Sequence, residues 1–299
     1  MIPQAFITEW SNNVPWQTNE QVEQDLVICR ALVEIYSDKF LADSLAFRGG
    51  TALHKLYLQP QPRYSEDIDL VQVRSEPIKE TIQHLQKALS FLGRSNVDQR
   101  KDNNTILCRF DSEFAPVQNL KLKIETNCRE HFTVLGWEKK AFAVKSSWFN
   151  GQCDLTTYKI EELLGTKLRA LYQRRKGRDL YDLWKALTHS KINPDLIIQC
   201  YKEYMKFSLE KPIPTKKEFL INVERKETDD DFLGDIVALL RPDEKYNHEE
   251  AFKLVIETLI ERMQNANTTS QPTKQSLQER IFSPSQEKFK NKNLPPSKK

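Results

Sequence analysis

Residues 47–73 read FRGGTALHKLYLQPQPRYSEDIDLVQV, and the Gly49-Gly50 pair in this stretch divides two kinds of local pattern. Before it, Ala46-Phe47-Arg48 reads as a short extended segment; after it, Leu53, Leu56 and Tyr57 recur at helical spacing. The glycines therefore occupy a strand-to-helix turn. Ile68-Asp69-Leu70-Val71-Gln72-Val73 is rich in β-branched residues and follows the turn-like Pro62-Arg63-Tyr64-Ser65, which predicts a strand starting near Asp67. Strand, glycine turn, helix and strand in such close succession commit this part of the chain to a layer of sheet and helix.

The strand period puts Asp67 and Asp69 on one face, about 6.6 Å apart, and Ile68 and Leu70 on the other. Two carboxylates at that separation repel by roughly 2.5 kcal/mol at an effective dielectric of about 20. A hard cation would remove that cost, and magnesium binds through one or two carboxylates completed by substrate phosphates. The bland alternative is a pair of acids at a solvated strand end. The glycine turn favours the metal, because backbone amides approach an anion closely there and a helix N-terminus adds free N–H groups and positive potential. Thr51 either caps that helix or contacts a phosphate.

Further along, Leu120-Lys121-Leu122-Lys123-Ile124-Glu125-Thr126 alternates strictly, with Leu120, Leu122 and Ile124 on the buried face and Glu125 on the other with the lysines. Glu125 is a third carboxylate for a metal cluster, a base for an attacking hydroxyl, or an ordinary partner of Lys121 or Lys123. A helix from about Lys159 to Lys176 carries an apolar stripe of Ile160, Leu163, Leu164 and Leu171, and Lys167 falls inside it. Such a lysine needs either a snorkelling route or an acidic or phosphate partner. Gly177 is expected to end this helix and Asp179 to cap the next, whose stripe is Leu180, Leu183, Trp184 and Leu187, with Asp182 off the stripe. Arg174, Arg175, Lys176 and Arg178 cluster at the junction, as a footprint for an RNA backbone or triphosphate or as a solvated helix end.

The order FRGGTALHKL, RYSEDIDL, KIETNCRE and GTKLRALYQRRKGRDLYDL resembles the AbiEii/AbiGii toxin branch of the DNA polymerase β-type nucleotidyltransferase superfamily, over most of residues 45–187. Each piece is weak alone, and the ordered combination is specific. The resemblance implies a metal-dependent nucleotidyltransferase that uses magnesium or manganese at Asp67 and Asp69. It implies nucleotide contacts from Gly49, Gly50, Thr51, Arg63, Ser65, Lys167 and Arg178, with Lys167, Asp182 and Glu125 among the catalytic groups. It also implies an NTP substrate, an RNA acceptor such as tRNA, and a cognate antitoxin in a bacterial abortive-infection toxin–antitoxin system active in phage defence. A non-catalytic nucleotide- or RNA-binding module and a small-molecule nucleotidyltransferase are the competing readings; clustered carboxylates beside a phosphate site disfavour the pure binder.

The whole chain sets broad bounds. It has 299 residues, enough for a substantial core, and 45 basic against 42 acidic residues, so any basic footprint is local. Cys29, Cys108, Cys128, Cys153 and Cys200 lack metal-ligand spacing and fit reduced thiols. With no charged-then-apolar leader and no run long enough to span a bilayer, a cytoplasmic protein with no membrane partner is expected. The fold class expected is α+β: a nucleotidyltransferase-type mixed sheet flanked by helices in residues 1–155, a mostly helical lobe completing the active site in 156–265, and a disordered tail in 266–299 whose Asn, Thr, Ser, Gln, Pro and Lys content cannot offset ordering entropy. Expected helices are 17–40, 77–92, 195–207, 229–240 and 248–263, with strand signals dominating 45–147.

Overall fold

Alternation of apolar and polar residues builds the sheet, and its register decides which residues meet. The computed structural model of the chain describes residues 2–189, 191–208 and 212–263. The chain divides into two units, Met1–Asn265 and Ala266–Lys299, and the expected tail lies outside the described residues. In chain order the helices are α1 (Gln4–Trp10), α2 (Asn19–Ser37), α3 (Lys39–Ser44), α4 (Gly49–Leu56), α5 (Ile78–Ala88), α6 (Ile160–Gln173), α7 (Gly177–His189), α8 (Pro194–Ser208), α9 (Lys216–Glu227), α10 (Asp230–Gly234) and α11 (His248–Val255). The strands are β1 (Leu45–Arg48), β2 (Asp67–Gln72), β3 (Ser95–Gln99), β4 (Asn103–Asp111), β5 (Asn119–Asn127), β6 (Trp137–Lys145) and β7 (Asn150–Tyr158).

They form one mixed sheet in the order β3-β4-β5-β2-β1-β7-β6. β2 runs parallel to β5 and antiparallel to β1, and β1 runs parallel to β7. Ile106, Ile124 and Ile68 lie in one cross-strand row, and Leu70 is paired with Phe47, so these side chains share a face and are buried. That face packs on α2, where Thr18 caps the first turn by accepting from the Gln21 amide, and Leu26, Val27, Ile28 and Leu32 are buried. Asp67, Asp69 and Glu125 belong to the opposite face, in register with Arg48 on β1 and Thr105 on β4.

Two buried carboxylates join the sheet to the helices that follow it. Glu162 on α6 accepts from Thr133, the amides of Val134 and Leu135, and the Tyr204 hydroxyl of α8. Glu130 accepts from Arg48 at the end of β1 and Arg169 of α6; burial opposes its charge, but the two guanidiniums hold its pKa down to about 2. Around α6 the helices α4, α7, α8 and α9 pack directly.

The structure departs from the sequence reading in its helix ends. Strands continue to Tyr158, α5 stops at Ala88 before a separate 3-10 turn at Ser90–Leu92, and residues 229–240 form the short α10 plus a 3-10 turn, not one helix. The segment expected as a helix over 248–263 is α-helical to Val255 and continues as a π turn over Ile256–Ile260. α6 ends at Gln173, and Gly177 begins α7 where it was expected to end a helix. Gly177 sits where a Cβ would overlap the backbone oxygen of Phe232, so close backbone approach is the reason for a glycine at that position. Gly177→Ala should therefore lower the unfolding free energy by about 1–3 kcal/mol in urea titration. Gly234→Ala, with nothing within 4 Å of the added carbon, should stay within about 0.5 kcal/mol of wild type.

Candidate active site

The turn between β1 and α4 is built by what its two glycines lack. Gly49 has φ of 79°, and a Cβ on it would overlap the Asp69 carboxylate, so Asp69 lies directly against the turn backbone. A Cβ on Gly50 would lie 2.8 Å from Nη2 of Arg63, 3.4 Å from Oγ of Ser65 and 3.6 Å from Nζ of Lys167. One carboxylate and two cations thus converge on the N-terminus of α4, where backbone amides have no partner within the helix. Thr51 is buried; its hydroxyl hydrogen-bonds Ser65 Oγ at 2.8 Å and donates to the Asp67 backbone oxygen, fixing the start of β2 against the helix.

Asp67 and Asp69 face the same side of β2, with Lys123 and Glu125 beside them on β5. Burial raises the Asp67 pKa to about 6, with Lys123 opposing and Asp69, Glu66 and Glu125 adding to the shift. Burial, then Glu125, also raises Asp69, against the pull of Arg48 and Lys167. Among the described residues neither carboxylate side chain has a hydrogen bond or ion pair. Glu125 pairs with Lys123 Nζ at 3.1 Å and accepts from Asn103 Nδ2 at 3.4 Å, so it is both a neighbour of the aspartates and a partner of a lysine. No group of three or more His, Cys, Asp and Glu side chains among the described residues is gathered closely enough to cage a metal by itself. The donor set fits a hard divalent cation held by two carboxylates and completed by substrate phosphate oxygens and water.

Behind the turn lies a buried network of charge. Lys167 is 6% exposed, and its Nζ lies 2.8 Å from Asp182 Oδ2 and 3.2 Å from Asp179 Oδ1. Asp182, at 0% exposure, also accepts from Arg63 through Nε at 2.7 Å and Nη2 at 2.8 Å, and from His54 Nε2 at 2.8 Å. Burial opposes the Asp182 charge, yet Arg63, Lys167 and His54 hold its pKa well below the usual carboxylate range. Asp179 is forked by Arg174, Nε at 2.6 Å and Nη2 at 2.8 Å, so its carboxylate serves the network and not the cap read from the sequence. Asp182, expected off the apolar stripe, is fully buried among His54 of α4, Arg63 before β2 and Lys167 of α6.

The junction cations are neutralised from within. Arg178 forks onto Asp235 with both bonds at 2.9 Å, Lys176 approaches the same carboxylate at 3.2 Å, and Arg175 pairs with Asp229. Arg178 is thereby held to Asp235 and does not extend to the glycine turn, and the cluster offers little free charge to a polyanion.

Residues 30–284 match the family described as nucleotidyl transferase AbiEii toxin, type IV toxin–antitoxin system. The chain belongs to the AbiEii nucleotidyltransferase toxin family. MenT4, a nucleotidyltransferase toxin from Mycobacterium tuberculosis H37Rv, shares the fold at a TM-score of 0.51 and 15% identity, over 85% of this chain and 99% of MenT4. An antigenic nucleotidyltransferase-like protein from Paracoccidioides brasiliensis aligns at a TM-score of 0.35 and 15% identity, over 72% of this chain and 94% of its own. No curated protein matches the sequence. As an AbiEii-family enzyme the chain is a nucleotidyltransferase and the toxin of a toxin–antitoxin pair, which implies an NTP substrate and an antitoxin partner. Among the described residues no helix is long and apolar enough to cross a membrane.

His54 is the member of this candidate site that the sequence left unmarked. It stands four residues after Gly50, one helical turn along the same face, and that spacing was the available signal. Because Asp182 only accepts, His54 is neutral with its proton on Nε2; burial and Arg63 lower its pKa to about 4, and Nδ1 has no partner. The folded chain therefore refuses a proton that the unfolded chain takes up below pH 6.5, so this group's stabilisation is present above pH 6.5 and lost as pH falls towards about 4. Asp182, with its pKa depressed, adds stability that fades only in stronger acid. Unfolding titrations at pH 7, 5 and 4 should show His54→Gln flattening the first decline. Asp182→Asn should lower stability at pH 7 by about 3–5 kcal/mol, since Arg63 would be left buried without its counter-charge and Lys167 would keep only Asp179.

Proposed function

We propose that this AbiEii-family toxin transfers a nucleotide from an NTP to an RNA acceptor such as tRNA in a divalent-metal-dependent reaction. The observation that carries the reading is Asp69 lying against Gly49, which sets a carboxylate suited to a cation beside backbone suited to a triphosphate. Asp67 and Asp69 would hold magnesium or manganese, which supplies Lewis-acid stabilisation of phosphoryl oxygens when bound. The Gly49-Gly50 amides and the α4 N-terminus receive phosphate oxygens, flanked by Arg63 and Ser65, while Thr51 fixes the geometry of the turn. Lys167, oriented by Asp179 and Asp182, neutralises charge on the departing pyrophosphate.

The acceptor hydroxyl oxygen bonds to the α-phosphorus as the bond to the bridging oxygen of the β-phosphate breaks. Glu125, on the exposed side of the aspartates, receives the hydroxyl proton. The role of Asp182 is positioning: Arg63, Lys167 and His54 occupy its oxygens and make it a weak base. Growth arrest would follow from modification of tRNA in the cytoplasm. Release from an antitoxin during phage infection would make that arrest an abortive response.

With each labelled NTP, magnesium and unfractionated bacterial tRNA, the wild type should label RNA and Asp69→Asn should lose roughly 10²–10³-fold or more of the rate. Unimpaired labelling by Asp69→Asn or in excess chelator would sink the metal reading, and label confined to small molecules would sink the RNA reading. Asp67 contributes stability as the neutral acid, which is lost as pH rises through about 6. Magnesium should accordingly raise the melting temperature more at pH 7.5 than at pH 5.

A further inference from the structure

The half-sheet β3-β4-β5 beside the carboxylates carries two adjacent cations with no ion-pair partner among the described residues. Arg109 on β4 and Lys121 on β5 are directly opposite each other in the antiparallel register, on the same face as Glu125. Both are exposed, and neither side chain has a hydrogen bond or ion pair among the described residues. Like charges in directly opposed positions destabilise a sheet, so the pair costs stability unless an anion sits over it. Lys123 follows on the same face, register-paired with Leu107 on β4 and with Asp67 on β2. The cations therefore form a short strip that ends at the aspartates. Of the nearby acids, Glu125 is paired with Lys123, while Asp111, at the far end of the strip, accepts from the neutral Asn119 amide and keeps its charge, so Arg109 and Lys121 are the cations here without a bonded carboxylate. The opposite face of these strands is filled by Ile106, Cys108, Leu122 and Ile124, so only this side of the half-sheet faces outward.

We propose that Arg109 and Lys121 hold the phosphodiester backbone of the acceptor strand, with its reacting hydroxyl presented past Lys123 to the aspartates. The proposal rests on the RNA-acceptor reading above. Charge complementarity selects the occupant: a chain of phosphates matches a cationic strip leading into a phosphate-transfer site, and the junction cations around Arg178 are already paired. The backbone contact would be independent of base identity.

The test uses the full chain, unfractionated bacterial tRNA and labelled NTPs, comparing wild type with Arg109→Gln/Lys121→Gln and with Arg109→Glu/Lys121→Glu. The neutral pair should raise KM for tRNA about tenfold or more with kcat at saturating tRNA and KM for NTP within about twofold. It should also flatten the dependence of log KM on log salt by about 1.4, two phosphate contacts on a single strand. The charge-reversed pair should be weaker still, while the neutral variant melts no lower than wild type because the like-charge repulsion is gone. Unchanged KM and salt slope in active variants would overturn this proposal and leave the RNA reading standing. Failure of the wild type to label RNA would overturn both. If KM is unchanged but coexpressed antitoxin no longer relieves growth arrest by the neutral variant, the strip belongs to a protein partner and the proposal falls.

Discussion

The carboxylate of Asp182 is the interaction on which the site depends. Taking this charge out of water costs several kcal/mol, and only well-aligned opposite charges offset it. Arg63 forks onto it, Lys167 meets one oxygen and His54 donates to the other, so three separate segments of chain are fixed relative to one buried group. Those segments are the loop before β2, helix α6 and the helix that the glycines open. The convergence of Arg63 and Lys167 on Gly50 follows from where Asp182 stands on α7.

Period-two alternation made the sheet face of the site legible in advance. Asp67, Asp69 and Glu125 share a face because Ile68, Leu70 and Ile124 must share the other, and the parallel register of β2 with β5 sets Glu125 beside Asp69. The glycine turn was readable as well, since two adjacent glycines between an extended and a helical segment leave few other conformations. The family resemblance carried by these motifs is matched over residues 30–284.

The ion pairs behind the turn were not legible, because a carboxylate's partner is chosen by tertiary packing. Asp179 looked like a cap since it opens a helix, but Arg174 and Lys167 reach its oxygens from the preceding helix and its end. Asp182 falls off the apolar stripe, and the resemblance alone puts it in the site; its burial among Arg63, Lys167 and His54 comes from three other segments of chain. The same limit applies to the junction cations: a run of basic residues shows where charge lies along the chain, and only the fold shows Asp229 and Asp235 neutralising it.

Glu130, Glu162 and Asp182 each bind the sheet to the helices that follow it, and each does so through buried, multiply bonded oxygens. A hinge between these parts would have to break such bonds in a medium where the charges have nowhere else to go. The cationic groups are therefore set in place before any nucleotide arrives. Folding itself thus fixes where the charges of the site stand. Unhinging the site would break several of these buried bonds at once, so a partner that covers it meets a smaller opposing cost than one that must pry it open.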